Sequence, residues 1–290
     1  MSTAANVGFV GLGAMGWPMA GHLKAAGLLR AVANRSPDKA RRFAAEHRVE
    51  ARASIGALVQ DCNVVVLCVS ADDDVLNLTR EIAGQANPGC IVIDHSTVSS
   101  KTAKAAALAM RSVGGDFLDA PVSGGVEGAT SGKLSIMLGG ERETLQRVRP
   151  VLEAYAARIS HMGEVGAGQN TKAVNQVLIA GIAQAVCEGL ALGEALGLDA
   201  SALLPTLGAG AAANWFLDKR GETMLRSEFS VGFKLGLLHK DLLIVQQLAQ
   251  AAGINHPVID ASLRDYAELM QRGHTDDDIS ALIRLKRPSV

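Results

Sequence analysis

Val7-Gly8-Phe9-Val10-Gly11-Leu12-Gly13-Ala14-Met15-Gly16 sets a G-x-G-x-x-G triplet directly behind a short apolar run. The run has the length and β-branched content of a buried strand, and the residues that follow, through Met19, Leu23 and Ala26, recur at helical spacing. In that setting Gly11 permits the tight turn, Gly13 lets the backbone approach a pyrophosphate, and Gly16 lets the helix pack closely with its N-terminal N–H groups toward the anion. A glycine triplet alone also describes a plain structural turn. Strand, loop, helix and second strand in succession make Gly11, Leu12, Gly13, Ala14, Met15 and Gly16 a dinucleotide site.

Outward from this stretch the same texture continues. Short apolar runs at Arg30-Asn34, Val64-Val69, Ile91-Asp94, Asp116-Asp119 and Leu134-Leu138 alternate with helical patterns, which predicts a parallel sheet with crossover helices. The runs are nearly all apolar, as expected of strands covered on both faces. After Gly166 the strands stop, and Ala/Leu-rich helical stretches follow at roughly 168–197, 199–210, 213–226, 232–253 and 257–272. The predicted fold is an α/β Rossmann domain, a doubly wound and mostly parallel sheet, over residues 1–165. An all-α domain over residues 166–290 follows it through a long helix of roughly 45 Å at about 1.5 Å per residue.

Composition narrows the ligand. The 290 residues are 48% hydrophobic, enough for two cores, and the formal net charge is -1. Basic residues are dispersed, so neither nucleic acid nor an anionic membrane surface is an expected partner, and a neutral or small anionic ligand is. Cys62, Cys68, Cys90 and Cys187 show no C-x-x-C pairing and read as reduced, structural thiols; the seven histidines show no metal-ligand spacing, so no metal is expected. Met1 to Leu23 lacks Lys, Arg, Asp and Glu, yet glycines at 8, 11, 13, 16 and 21 and Pro18 interrupt it, and Ala173 to Cys187 is short for a span. A cytoplasmic protein is the expectation.

Six further segments carry chemistry. Asn34-Arg35-Ser36 ends the second strand, where NAD-binding folds place an acid for the ribose hydroxyls; there is none here, and Arg35 with Ser36 suits a 2′-phosphate. That points to NADP, with NAD the alternative. Val69-Ser70 and Asp94-His95-Ser96-Thr97 follow predicted strands at the sheet's carboxyl edge, where such folds bind ligands. His95 reads as a strand-end structural histidine rather than an acid–base group. Pro121-Val122-Ser123-Gly124-Gly125 can serve as an anion loop, with Ser123 and the Gly124 and Gly125 amides as donors for a carboxylate. Lys172 and Asn175, three apart, share a helix face with Gln176 beside them, and Phe233, Leu237, Lys240 and Asp241 share another. A solvated lysine and a surface ion pair are the plain alternatives for these last two groups.

Three of these stretches, 10–20, 119–129 and 166–176, resemble in order the signature segments of the 3-hydroxyisobutyrate dehydrogenase family, and the similarity runs from about residue 6 to 285. The resemblance implies a nicotinamide-dependent β-hydroxyacid dehydrogenase, a dimer or tetramer, with Lys172 as the catalytic lysine. It implies that Ser123, Gly124, Gly125 and Asn175 hold the substrate, Ser123 and Asn175 sharing in catalysis. Thr97 and Lys240 would touch the cofactor, Asp241 would orient Lys240 beside the substrate, and Phe233 would wall the pocket. A small carboxylate bearing an aldehyde or alcohol is then the expected substrate, with glyoxylate, succinic semialdehyde, tartronate semialdehyde and 3-hydroxyisobutyrate all suited. Oxidation of a β-hydroxyacid with NAD, imine reduction, or a dinucleotide sensor without activity are the alternatives. 6-Phosphogluconate dehydrogenases continue their lysine motif with His-Asn where this chain has Asn175-Gln176, and imine reductases typically lack the lysine.

Overall fold

In the computed structural model, which describes residues 5–288, alternate residues of the central strands face opposite ways and build two separate cores. The elements run β1 (Val7–Val10), α1 (Gly16–Ala25), β2 (Leu29–Ala33), α2 (Pro37–His47), β3 (Glu50–Ala51), α3 (Ile55–Val59), β4 (Val64–Leu67) and α4 (Asp72–Ala83). They continue through β5 (Ile91–Asp94), α5 (Ser100–Arg111), β6 (Asp116–Asp119), β7 (Val122–Ser123), α6 (Gly125–Thr130), β8 (Leu134–Gly139), α7 (Arg142–Glu153) and β9 (Ala156–Gly163). Phe9, Val66, Ile93 and Leu118 pack in one cluster, while Val10, Val65, Val92 and Phe117 pack in the other. Period-two alternation with both faces apolar is what helices on both sides of a sheet require.

The strand order is β3-β2-β1-β4-β5-β6-β8-β7, with β9 paired to β8. β3 through β6 are parallel, β8 runs antiparallel to β6 and β7, and β9 is parallel to β8. The order reverses between β1 and β4, the switch point at whose carboxyl edge doubly wound sheets take ligands. Register aligns that edge: Val10, Leu67, Asp94 and Asp119 are successive partners. One further rung follows, from the N–H groups of Cys68, His95 and Ala120 to the carbonyls of Val10, Leu67 and Asp94. The loops beyond it therefore begin at one level.

β3, β7 and β9 were not expected from the sequence. Half of the residues of β9 are apolar but none is fully buried, so backbone pairing with β8 rather than an apolar run defines it.

The second half is helical: α8 (Ala167–Ala195), α9 (Ala200–Gly208), α10 (Trp215–Leu225), α11 (Leu235–Ala251) and α12 (Pro257–Gln271), then a 3-10 turn at Ile279–Leu282 and α13 (Ile283–Lys286). Ala180, Ala183, Cys187, Leu190 and Ala191 of α8 belong to its core, with Leu238, Leu242, Val245, Ile259, Leu263 and Tyr266. By length and composition alone α8 could cross a membrane, which corrects the view that its apolar stretch is too short.

The chain divides into one compact unit ending at Lys172 and another beginning at Ala173, not at the expected 165/166 boundary. The outer limits of the expected domains, residues 1 and 290, lie outside the described residues. The shift has a local cause: the first turn of α8 is bonded to the sheet. The Asp119 carboxylate accepts from the N–H groups of Gly166 (2.8 Å) and Gln169 (2.9 Å), two of the amides a helix start otherwise leaves without partners. Glycine is required for this approach: a Cβ on Gly168 would lie 2.5 Å from the Met137 carbonyl oxygen, and one on Gly139 would lie 2.5 Å from Asp119 Oδ1.

Candidate active site

Gly11 takes φ +99°, and a Cβ there would lie 2.2 Å from the Cys68 carbonyl oxygen; a Cβ on Gly16 would lie 1.9 Å from the Gly11 carbonyl oxygen. A Cβ on Gly13 would meet nothing within 4 Å, and Gly13 and Ala14 are exposed. The loop is thus tight where it touches the sheet and open where a pyrophosphate would approach, so its residues fit a dinucleotide.

Asn34 and Leu12, both expected at the dinucleotide, are bonded to each other. Leu12 is buried and its N–H donates to Asn34 Oδ1 (2.9 Å), while Asn34 Nδ2 donates to the Ser36 carbonyl (3.2 Å). Both ends of the amide are used to brace the glycine loop against the end of β2. Arg35 and Ser36 are exposed, and the Arg35 guanidinium lies 3.8 Å from an Asp74 oxygen, an open contact of little energetic weight.

The loops after β4 and β5 are tied together. Val69 N–H donates to Ser96 Oγ (3.0 Å), and Asp72 Oδ1 accepts from Ser99 N–H (3.0 Å) and from the Thr102 hydroxyl. Ser70 stays exposed and Thr97 half-buried between them. His95 is buried, with Nδ1 2.6 Å from the Ala120 carbonyl and Nε2 2.8 Å from the Tyr155 hydroxyl. A carbonyl only accepts, so Nδ1 carries the proton and Nε2 accepts from Tyr155. Burial lowers the His95 pKa to about 4 and pushes the Tyr155 phenol up, so the ring stays neutral and structural.

Gly124 and Gly125 take φ +128° and +62°, conformations that turn the chain abruptly behind Ser123 and that a side chain would strain. Lys172, 8% exposed, reaches this same turn: its Nζ donates to the Val122 carbonyl at 2.8 Å. An ammonium has three hydrogens, and that carbonyl takes one of them. The structure thus brings Lys172, Ser123 and the two glycines together.

Within the second unit a polar chain forms along α8 and α11. Asn175 Nδ2 donates to Gln176 Oε1 (2.9 Å), Gln176 Nε2 to Asp241 Oδ2 (2.7 Å), and Lys240 Nζ lies 2.9 Å from Asp241 Oδ1. Asp241 is buried with both oxygens engaged, one by Gln176 and one by Lys240. Phe233 does not share the helical face expected of it, because α11 begins only at Leu235. Its N–H and that of Gly232 are held by Asp278 Oδ2 (2.9 and 2.8 Å), which keeps the segment out of the helix.

Sequence reading missed Asp119, Gln169 and Asp278. Asp278 ends an acidic run that reads as solvated, yet it is buried and also binds Ser280. Trp17 packs edge-on against Phe43, with centroids 4.9 Å apart, and Trp215 is half exposed. Burial pushes the thiols of Cys62, Cys68 and Cys187 up to about 12 and that of Cys90 to about 11, which removes thiolate chemistry at neutral pH.

Residues 6–163 match a family model described as the NAD binding domain of 6-phosphogluconate dehydrogenase, and residues 166–286 one described as the NAD-binding domain of NADP-dependent 3-hydroxyisobutyrate dehydrogenase. The chain is 34% identical over 294 residues to an NAD-dependent L-serine dehydrogenase of Pseudomonas aeruginosa, covering 98% of each. It is 33% identical over 285 residues to a 2-hydroxy-3-oxopropionate reductase of Escherichia coli, covering 96% of each. Among solved structures, 3-hydroxyisobutyrate dehydrogenase of Mycobacterium tuberculosis with L-serine superposes with a TM-score of 0.88 at 33% identity, covering 99% of this chain and 100% of that one.

The neutral His95 gives a pH test. An unfolded histidine takes up a proton near its ordinary 6.5, while the folded one resists until about 4, so stability falls as pH drops through that window. The full effect is on the order of 3 kcal/mol. Burial raises the Asp119 pKa, which acts in the opposite sense in acid, so a paired comparison isolates the histidine. The stability advantage of the wild type over His95→Gln, measured by urea unfolding, is expected to shrink as pH falls from about 7 to about 4.5. A constant advantage contradicts the assignment.

Proposed function

The chain belongs to the 3-hydroxyisobutyrate dehydrogenase family of nicotinamide-dependent β-hydroxyacid dehydrogenases, and on that premise we propose that it interconverts a small carboxylate-bearing semialdehyde and its hydroxy acid, with Lys172 as general acid–base. The observation that carries this reading is the Lys172 ammonium held at the Ser123 turn by the Val122 carbonyl. A proton donor is fixed beside an anion-binding loop, the pair that reduction of a carbonyl acid needs. The three relatives, by their names, have L-serine, 2-hydroxy-3-oxopropionate and 3-hydroxyisobutyrate as ligands or substrates, each a carboxylate with its oxygen function on the β carbon. That supports a three-carbon semialdehyde such as tartronate semialdehyde over glyoxylate, whose aldehyde is on the α carbon.

A dinucleotide bound at the glycine loop supplies or accepts the hydride. The protein's own part is position and proton transfer. Ser123 with the Gly124 and Gly125 amides holds the carboxylate, Lys172 Nζ gives its proton to the developing alkoxide in reduction, and Asn175 donates to the same oxygen. In oxidation the neutral amine takes the proton back. Asp241 steadies Lys240 for the cofactor side.

NADP is the cofactor this reading assigns. It is supported by the absence of a carboxylate at 34–36, by the bracing role of Asn34, and by the exposed Arg35. Work in the cytoplasm fits the four free cysteines, and the dispersed basic residues fit a protein without nucleic acid or anionic-membrane partners. A homodimer is supported by α8, where Val174, Leu178 and Leu192 stand exposed with Gly181 and Ala185 between them. In an antiparallel pairing of two copies centred at residue 183, Val174 meets Leu192 and the small Gly181 meets Ala185.

Three measurements test these assignments. Lys172→Ala is expected to lower turnover of tartronate semialdehyde by more than about 10³-fold while fluorescence titration shows NADPH binding within a few-fold of wild type; an active variant rejects the mechanism. Wild type should prefer NADPH to NADH, and Arg35→Ala should raise the KM for NADPH about 10-fold or more with little change for NADH; a wild-type preference for NADH rejects the NADP assignment. Light scattering should find a dimer that Leu178→Glu with Leu192→Glu dissociates; a monomeric wild type rejects the α8 pairing.

A further inference from the structure

Gln169 is 2% exposed, and each of its polar groups faces a different part of the first unit's carboxyl edge. Its N–H donates to Asp119 Oδ2 (2.9 Å), which fixes its backbone to the end of β6. Its side-chain Nε2 donates to the Ser96 carbonyl (2.8 Å), and Oε1 accepts from the Val98 N–H (3.2 Å). The residue enclosed between those two backbone groups is Thr97. Three residues further along α8, Lys172 reaches the Val122 carbonyl.

An amide that donates on one side and accepts on the other holds the orientation of the backbone it spans, where a single bond would leave a pivot. Burial makes both bonds costly to lose, since the Ser96 carbonyl and the Val98 N–H would be stranded away from water. We propose that Gln169 is the positioning residue that sets Thr97 of the dinucleotide edge against the Lys172 ammonium. It touches neither substrate nor cofactor; it acts through the 96–98 backbone on one side and the first turn of α8 on the other. This rests on Lys172 as proton donor and Thr97 as a dinucleotide contact. The mechanical consequence follows from reaction geometry, in which a displacement of about 1 Å costs on the order of 10²-fold in rate.

The experiment uses the full chain with Gln169→Met and Gln169→Glu. Methionine nearly preserves the volume and removes both bonds. Glutamate keeps an acceptor for Val98 but, when ionised, turns an oxygen toward the Ser96 carbonyl; when protonated, its O–H donates there as the amide does. For Gln169→Met the expected result is kcat for tartronate semialdehyde with NADPH lowered about 10- to 100-fold, with KM and the NADPH dissociation constant within about 3-fold of wild type. In the dinucleotide-free protein, Val98 amide hydrogen exchange should accelerate. For Gln169→Glu the ratio of its kcat to that of wild type should climb as pH falls, because protonation restores the missing donor.

Wild-type kcat in a folded Gln169→Met, or unchanged Val98 exchange, overturns the proposal. So does a Gln169→Glu ratio that is flat with pH, which decides the matter by itself if the methionine variant does not fold. A dead Lys172→Ala beside a fully active Gln169→Met removes only the positioning role. An active Lys172→Ala removes the reading of the site on which the role depends.

Discussion

The Asp119 carboxylate at the start of α8 joins the sheet to the helix that carries Lys172. Burying an acid is unfavourable, and burial raises its pKa even though backbone N–H groups donate to it. What offsets the cost is the helix end itself, with its unpaired amides and positive partial charge. Gly139 and Gly168 can be nothing larger because their Cβ atoms would collide with Asp119 and its neighbours. Two glycines, one aspartate and a helix start are therefore a single device, and Lys172 inherits its position from it.

That device explains why compactness divides the chain after Lys172 although strands end near Gly163. A boundary read from texture follows the change from strand to helix. A boundary set by contacts follows the bonds, and the first turn of α8 is bonded to β6 and to the loop after β5. The local pattern could not reveal this, since the partners are 47 to 73 residues apart in sequence.

The same distinction separates what the residues disclosed from what they hid. β1, β4, β5 and β6 were legible because strands buried on both faces carry apolar residues at consecutive positions, and the glycine loop because each glycine answers a local steric demand. β9 was hidden because pairing alone defines it, and the start of α11 because Asp278, far along the chain, holds the Phe233 amide. Lys172 and Ser123 gained their roles from resemblance, since nothing in a single helix announces that a lysine will meet a carbonyl 50 residues away. Gln169 carries no local signal, because its partners Asp119, Ser96 and Val98 lie 50 to 73 residues away.

The polar groups at this edge differ in what they have left to give. Asn34, Ser96, Asp119 and Gln169 spend their hydrogen bonds on the protein's own backbone and side chains. His95, which normally exchanges protons near neutrality, is held in one tautomer by Ala120 and Tyr155 and resists protonation until about pH 4. The thiols are protonated at any physiological pH. In the reading proposed for this site proton transfer falls to a group placed at the Ser123 turn, and Lys172 is the residue that the Val122 carbonyl holds there. The saturated groups around it are what keep it in place.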